Sequence, residues 1–132
     1  MAHAMVDYLR SDMECEGLLE CLHGLKALDR RCYTVLVSAG EPMTVDELVT
    51  AVDRERSTVY RSVQRLASAG LVAKSQVNYE QGGYYHVYRP VSAGEIATDM
   101  QRLLDEWYEK MGELIEAFEE KYEDPSTLTA EH

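Results

Sequence analysis

The chain has 132 residues, 45% of them hydrophobic and 28% charged, which predicts one globular domain with a modest core. No stretch approaches the roughly 18–20 apolar residues of a membrane span, and the N-terminus lacks the apolar segment of a signal peptide. The odd number of cysteines, three, argues against a secreted disulfide framework, so we expect a cytoplasmic protein with no membrane partner.

Charge is distributed unevenly along the chain, whose formal net charge is −11. Residues 1–53 contain 4 Lys and Arg against 10 Asp and Glu, and residues 91–132 contain 3 against 12. Residues 54–90 reverse this balance, with 6 basic residues against 2 acidic ones. This basic middle segment keeps nucleic acid available as a partner, which the net charge alone would exclude.

The chain is also poor in lysine, which supplies only 4 of its 13 basic residues. An acidic, lysine-poor composition resembles that of proteins from salt-loving archaea, and the alternative is an ordinary acidic cytosolic protein. On the first interpretation, we expect salt cations and anions to be partners of the surface.

The first predicted helix covers residues 11–27. It opens at "SDME", residues 11–14, where Ser and Glu have the spacing of a capping box. Its apolar face contains Leu18, Leu19, Leu22 and Leu25. A second helix, roughly residues 28–38, ends at "SAGEP", because glycine tolerates a left-handed cap and proline follows it.

Two more helices follow across a tight connection. "TVDE", residues 44–47, is another capping box and opens a helix of about eight or nine residues. "DRER" then leads to a helix with Ser57 as the predicted N-cap and Gly70 as its end. Val59, Val63 and Leu66 form the predicted buried stripe of this helix. The opposite face presents Ser57, Arg61, Gln64 and Ser68, flanked by Thr58, Tyr60 and Arg65.

The remainder predicts a hairpin and a long helix. Residues 71–91 are rich in Val and Tyr and are interrupted by "QGG", whose glycines supply the positive φ of a tight turn. Residues 92–123 open with the cap "SAGE" and repeat apolar residues at steps of 3 and 4 over about 40 Å. Residues 124–132 are predicted to be a frayed tail.

An apolar stripe of this length has too little domain behind it to be buried alone, so we predict a homodimer. The alternative is a monomer whose last helix folds back on itself, where only Gly112 interrupts the helical pattern. The predicted interface uses both the first and the last helix. Its residues are Leu18, Leu22, Ile96, Met100, Leu103, Trp107, Met111, Leu114 and Phe118.

A short helix, a tight turn, a polar-faced helix and a glycine-tipped hairpin follow the order of a winged helix-turn-helix. The predicted fold is therefore mostly α with a small β-hairpin wing. It is a single domain with an N-terminal dimerisation helix (11–27), a winged helix-turn-helix (28–91) and a long C-terminal dimerisation helix (92–123).

Within this pattern, "TVDELVTAVDRERSTVYRSVQRLASAGLV", residues 44–72, resembles the winged-helix cores of PadR, MarR and TrmB-like regulators of archaea and bacteria. The resemblance covers roughly residues 28–90. It implies a transcriptional regulator that binds double-stranded DNA. Together with the acidic, lysine-poor flanks, this resemblance extends to haloarchaeal regulators that respond to oxidative stress.

On this interpretation, the N-terminal part of the helix 57–70 enters the major groove. Arg61 and Gln64 reach base edges, since arginine pairs bidentately with guanine and glutamine with adenine. The other predicted contacts are to the backbone or to the minor groove. The full predicted DNA-binding set is Arg54, Arg56, Ser57, Thr58, Tyr60, Arg61, Gln64, Arg65, Lys74, Gln81, Gly82, Gly83 and Arg89. Two half-sites about 34 Å apart would then form a pseudo-palindrome.

The cysteines admit three interpretations. Cys15, Cys21 and Cys32, with His23, match no strong zinc pattern, so we predict no metal site and no cofactor. Placed on the predicted helices, the cysteines lie at or near the core face, where a thiol packs as a small apolar group. Redox sensing is the remaining alternative and needs an exposed thiol of low pKa.

Catalysis is not indicated, because the sequence has no glycine-rich phosphate loop, nucleophile elbow or HExxH motif. We therefore predict that the protein is not an enzyme. The rival function is a winged helix that binds proteins of the transcription machinery. The basic middle segment favours DNA, since a protein-binding wing has no reason to exclude acidic residues.

Overall fold

The computed structural model describes residues 4–10, 12–124 and 126. The elements of the described residues are α1 (Met5–Arg10), α2 (Gly17–His23), α3 (Ala27–Ala39), α4 (Val45–Val52), α5 (Arg56–Ser68), β1 (Val72–Asn78), β2 (Tyr84–Pro90) and α6 (Ala93–Glu123). The predicted winged helix-turn-helix with a long last helix is confirmed. The chain divides into two compact units after Ile96, where the sequence predicts a single domain.

The core of the first unit lies where α3, α4 and α5 meet the hairpin. Its fully buried side chains come from all three helices, and each contributes about 1.5–3 kcal/mol by leaving water. They include Leu36 of α3, Leu48 and Val52 of α4, and Val59, Val63 and Leu66 of α5. The predicted buried stripe of α5 is therefore confirmed.

The helix-turn-helix connection is set by local backbone chemistry. The Thr44 hydroxyl accepts from the Glu47 amide at 3.1 Å, and the Thr44 amide donates to Glu47 Oε1 at 2.9 Å, which confirms the predicted capping box of α4. Asp53 ends α4 in the left-handed conformation with φ 54°, which turns the chain sharply toward α5.

The start of α5 differs from the prediction. Glu55 is the N-cap residue and makes no side-chain capping bond, and its carbonyl accepts from the Val59 amide at 3.0 Å. The prediction of Ser57 as N-cap is wrong, because the sharp turn at Asp53 lets the chain enter the helix at Arg56. Ser57 lies instead in the exposed first turn.

The predicted hairpin is confirmed. β1 and β2 pair antiparallel with Ser75 opposite Val87, and the Tyr79 amide donates to the Gly83 carbonyl at 3.0 Å across the tip. Gly82 and Gly83 have φ values of +95° and +85°, which side-chain-bearing residues rarely adopt. A bridge between Met43 and Tyr88 ties the hairpin to the segment before α4.

The N-terminal region departs most from the prediction. The predicted helix 11–27 is reduced to α2, because Cys15 and Glu16 lie in a turn and Gly24, with φ +67°, ends the helix. The proposed capping serine, residue 11, lies outside the described residues. α1 was not predicted, and its first turn is held by the Ala4 amide, which donates to Asp7 Oδ2 at 3.1 Å.

The last helix agrees with its prediction. The Glu95 amide donates to the Ser92 hydroxyl at 3.3 Å, as the motif "SAGE" predicts, and α6 continues for 31 residues. Ile96 is buried within the first unit. In the described part of the chain, no helix is both long and apolar enough to cross a bilayer. Of the predicted tail, 124–132, the structure describes only Asp124 and Ser126.

Candidate nucleic-acid interface

α5 has one buried apolar side and one exposed polar side, as a helix that reads DNA requires. Its stripe of Val59, Val63 and Leu66 is fully buried, which anchors the helix to the first unit. On the other side Ser57 and Arg61 are exposed, and Gln64 is half-buried. Tyr60 is exposed at the edge of this face. The structure therefore presents Arg61 outward from a rigidly held helix.

The two arginines that precede this face have different partners. Arg54 Nη1 donates to the Asp53 carbonyl at 3.3 Å. Arg56 Nε donates to Asp46 Oδ1 at 2.9 Å, and both of these side chains are largely exposed. An exposed ion pair is worth only about 0–1 kcal/mol, so Arg56 can exchange Asp46 for another anion at little cost.

Arg65 binds a buried carboxylate, although its own side chain remains partly exposed. Its Nε and Nη2 atoms donate to both carboxylate oxygens of Asp29 on α3, with distances of 2.8–3.2 Å. The Ser62 hydroxyl donates to the same carboxylate at 2.5 Å. Asp29 and Ser62 are fully buried. Arg65 thus joins α5 to α3.

The electrostatics of this cluster follow from its contacts. Burial raises the pKa of the Asp29 carboxyl, but the hydrogen bonds from Arg65, the Lys26 amide and Ser62 outweigh it and hold that pKa below its ordinary value. The hydrogen bonding of Arg65 to Asp29 raises the pKa of Arg65, although burial acts in the opposite direction. The pair is therefore fully ionised at neutral pH.

Sequence reasoning did not identify Asp29 and Ser62. The signal for Ser62 was present, because it directly precedes Val63 and lies three residues after Val59, on the buried side of α5. The signal for Asp29 was its capping position three residues after Lys26. Its carboxylate accepts a hydrogen bond from the Lys26 amide at 2.9 Å. A buried serine facing a capping aspartate indicates a polar contact between helices.

The wing lies against α5 through Tyr88. Burial raises the pKa of Tyr88, and the nearby Tyr60 adds to this, whereas Arg56 and a hydrogen bond with the Gln64 side chain lower it. Gln64, a predicted base contact, therefore lies beside Tyr88 of β2. This contact joins the outer face of α5 to the hairpin.

The two basic residues of the hairpin lie on opposite faces. Lys74 pairs with Tyr88 across the sheet and shares its face, whereas Arg89 pairs with Ala73 and points to the other face. Residues 81–83 at the tip are exposed. The structure therefore brings Lys74, but not Arg89, to the side of the sheet that faces α5.

The cysteines divide into two kinds. Cys32 is fully buried, and burial raises its thiol pKa, which confirms core packing. Core packing is wrong for Cys15 and Cys21, which are exposed, since Cys15 precedes α2 and Cys21 lies on its outer side. Among the residues that the structure describes, no three His, Cys, Asp or Glu side chains are grouped to hold a metal ion.

The predicted dimer residues also divide. Leu18 is exposed, but Leu22 lines a groove together with His23, Gln64 and Arg65, and Ile96 is a core residue. The exposed apolar side chains of the second unit lie along α6. They are Leu104, Trp107, Tyr108, Leu114, Ile115, Phe118 and Tyr122. Within this unit the apolar side of α6 remains uncovered.

Comparison with known proteins identifies the family. Residues 19–94, more than half of the chain, match the family model of the sugar-specific transcriptional regulator TrmB. The uncharacterised protein MJ1503 of Methanocaldococcus jannaschii is 35% identical over 104 residues, covering 79% of this chain and 78% of that protein. MJ1082 of the same organism is 32% identical over 105 residues, covering 80% and 86%.

Solved structures support the same fold. A possible transcriptional regulator from Methanosarcina mazei Go1 has a TM-score of 0.71 at 24% identity, covering 89% of this chain and 99% of that chain. The ST1889 protein of the thermoacidophilic archaeon Sulfolobus tokodaii has a TM-score of 0.59 at 18% identity, covering 73% and 93%. Transcriptional regulators of this kind are generally not enzymes. The chain belongs to the TrmB family of transcriptional regulators.

Proposed function

We propose that the protein is a homodimeric regulator, acting in the cytoplasm, that reads pseudo-palindromic DNA with α5. The observation that carries this proposal is the exposed position of Arg61 on a helix whose opposite stripe is fully buried. A helix fits the major groove, and arginine is the commonest side chain to read guanine there. The basic segment 54–90 supplies the positive field between two acidic flanks.

The proposed contacts are those that the structure leaves on the α5 side. Arg61 reads a base edge, and Gln64, which lies beside Tyr88, reaches a second one. We leave Arg65 and Arg89 out of the proposed contacts, because Arg65 is bonded to Asp29 and Arg89 lies on the other face of the hairpin. Phosphate contacts are proposed for Arg54, Arg56, Ser57, Thr58, Tyr60, Lys74 and the tip residues 81–83.

The homodimer is proposed from the exposed side of α6. Trp107, Leu114 and Phe118 lie on one stripe, and contiguous apolar surface of this kind marks an interaction site. A second copy of the same helix offers a matching stripe, and two-fold symmetry makes such an interface self-complementary. The two α5 helices would then meet DNA one turn apart, about 34 Å.

The direct test is selection of duplexes from a random pool, followed by binding measurements on the enriched sequence. We expect Arg61→Ala to weaken that binding by about 1–3 kcal/mol, or roughly 5- to 150-fold, because one bidentate base contact is lost. Arg102→Ala on the exposed polar side of α6 removes the same charge and should leave binding unchanged. Failure of the wild type to enrich any duplex favours the protein-binding module instead.

Salt dependence tests the halophilic assignment. The acidic flanks carry a net charge of −15 per chain, against a net charge of +4 in the middle segment. We propose that cations at the surface screen the repulsion between these flanks and the phosphates, so binding should hold or improve into the molar range of KCl. A steep, monotonic loss of affinity from low KCl upward contradicts this.

The oxidative-stress role is proposed from the acidic, lysine-poor flanks taken together with the winged-helix resemblance, which by itself indicates only a DNA-binding regulator. It is tested by genome-wide binding maps of the native host with and without peroxide, where a redistribution of occupied sites is expected. Replacing the exposed Cys15 and Cys21 with serine separates a thiol-based response from an indirect one. Identical maps in both conditions contradict the role.

A further inference from the structure

Asp29 lies at the centre of a buried polar cluster that the proposed DNA contacts do not use. Its carboxylate is fully buried. It accepts hydrogen bonds from the Lys26 amide at 2.9 Å, from the Ser62 hydroxyl at 2.5 Å and from two nitrogen atoms of Arg65. In the described residues, no buried side-chain nitrogen or oxygen atom lacks a hydrogen-bond partner. The cluster is therefore a completed network rather than an accidental contact.

This network fixes α5 in a way that apolar packing does not. Ser62 and Arg65 are three residues apart and lie on one side of α5, so the carboxylate holds the helix at two points one turn apart. Apolar contacts along Val59, Val63 and Leu66 are not directional, whereas hydrogen bonds to a carboxylate are. Arg61 directly precedes Ser62, so its direction depends on the rotation that the network sets.

Stability alone is a poor reason for such a cluster. A buried ion pair is often no better for stability than apolar residues of similar volume, because both charges lose their hydration. Its best-attested use is to specify one arrangement among several. Arg65 links the buried carboxylate to the outer face of α5. Its side chain is 39% exposed at the edge of that face, while Asp29 is 0% exposed.

We propose that Asp29 is a positioning residue that sets the sequence specificity of α5. Through Ser62 and Arg65, it fixes the rotation of the helix and thereby aims Arg61 at one base edge. This inference rests on the proposed DNA-reading function. It assigns a role in recognition to a residue that touches no DNA and lies in the acidic part of the sequence.

The test compares specific with non-specific affinity in folded variants. The probes are the duplex that the wild type enriches from a random pool and a shuffled duplex of the same length and composition. We expect Asp29→Asn to lower the ratio of the two affinities at least tenfold, with less than a twofold change on the shuffled duplex. A purely structural role would leave this ratio unchanged in the folded fraction.

A second variant covers the case in which Asp29→Asn does not fold. Asp29→Leu combined with Ser62→Ala and Arg65→Met replaces the network by apolar groups, which is often neutral for stability. We expect this triple variant to fold and to show the same loss of specificity. The matched control is Asp99→Asn, which removes the carboxylate of an exposed ion pair on α6 and should keep the wild-type ratio.

Amide hydrogen exchange of the free protein gives a measurement without DNA. In Asp29→Asn, the amides of α5 should exchange at least tenfold faster, while those of α4 change less. Unaltered α5 exchange, or an unaltered affinity ratio in folded variants, overturns this inference and leaves the proposed function standing. If the wild type enriches no duplex, the proposed function fails, and the inference fails with it.

Discussion

Two amphipathic helices of the same chain have opposite surroundings. In α5 the apolar stripe of Val59, Val63 and Leu66 is 0% exposed. In α6 much of the stripe beyond Ile96 is open, with Trp107 40% and Phe118 66% exposed, whereas Met100, Leu103 and Met111 are half-buried. Both helices repeat apolar residues at steps of three and four, so their sequences look alike. The pattern predicts which side of a helix is apolar, but not whether the same chain covers it.

The difference follows from what each helix has beside it. α5 is in contact with α3, α4 and β1, which together surround a stripe only eight residues long. The second unit contains α6 from Ala97 onward, and a single helix has nothing to bury its own stripe against. Covered stripes hold a fold together, whereas uncovered ones are available to a partner.

The largest expected effect is the loss of the first unit in Val63→Asp. A charge placed without a partner in the fully buried stripe costs about 3–5 kcal/mol, a large part of the stability of a small domain. We expect the cooperative thermal transition followed by circular dichroism to disappear, or its midpoint temperature to fall by tens of degrees. Ser57→Asp, in the exposed first turn of the same helix, should change stability by less than about 1 kcal/mol.

The same change in α6 should separate assembly from folding. Leu114→Asp removes an apolar contact from each copy of the proposed interface, where burial of one leucine is worth about 1.5–3 kcal/mol. We expect the dimer dissociation constant to rise at least 100-fold in sedimentation experiments while the circular dichroism spectrum is retained. Glu116→Gln, on the polar side, should leave the mass in solution unchanged. A Leu114→Asp protein of dimeric mass would contradict the proposed interface.

The sequence predicted most of the first unit because its signals are local. The capping box at Thr44, the serine cap at Ser92 and the glycine pair at the hairpin tip each act within four residues, and all three are confirmed. The predicted stripe of α5 is also confirmed, because period and burial agree there. These elements place Arg61 outward before any tertiary contact is known.

What the sequence did not predict depends on contacts between distant residues. Asp29 and Arg65 are 36 positions apart, so no local pattern indicates that the arginine binds this carboxylate. The sequence predicts DNA contacts for both Lys74 and Arg89, but the register of the hairpin puts these residues on opposite faces. Cys15 was assigned to a helix face although the helix begins after it.

The contrast between covered and uncovered groups extends to the two carboxylates that bind arginines of α5. Asp29 has a pKa below its ordinary value of 3.8, so its contribution to stability is present above that pH and is lost as the pH falls through the folded-state pKa. We expect the free energy of unfolding in urea at pH 6 to be about 1–3 kcal/mol larger for the wild type than for Asp29→Asn. This difference should become smaller at pH 3. An equal difference at both pH values would contradict the ionised, hydrogen-bonded state.

The smallest expected effect is that of Asp46→Asn, which breaks the exposed pair with Arg56. The two side chains are 76% and 65% exposed, so their attraction is screened by water and is worth about 0–1 kcal/mol. Urea unfolding in 0.1 M and 1 M KCl distinguishes the two aspartates, because the screening length shrinks from about 10 Å to about 3 Å. The small effect at Asp46 should vanish in 1 M KCl, while the effect at Asp29 persists because ions do not enter its site. Equal salt sensitivity at both positions would mean that burial does not decide the strength of these pairs, and the contrast between covered and uncovered groups would then hold only for apolar side chains.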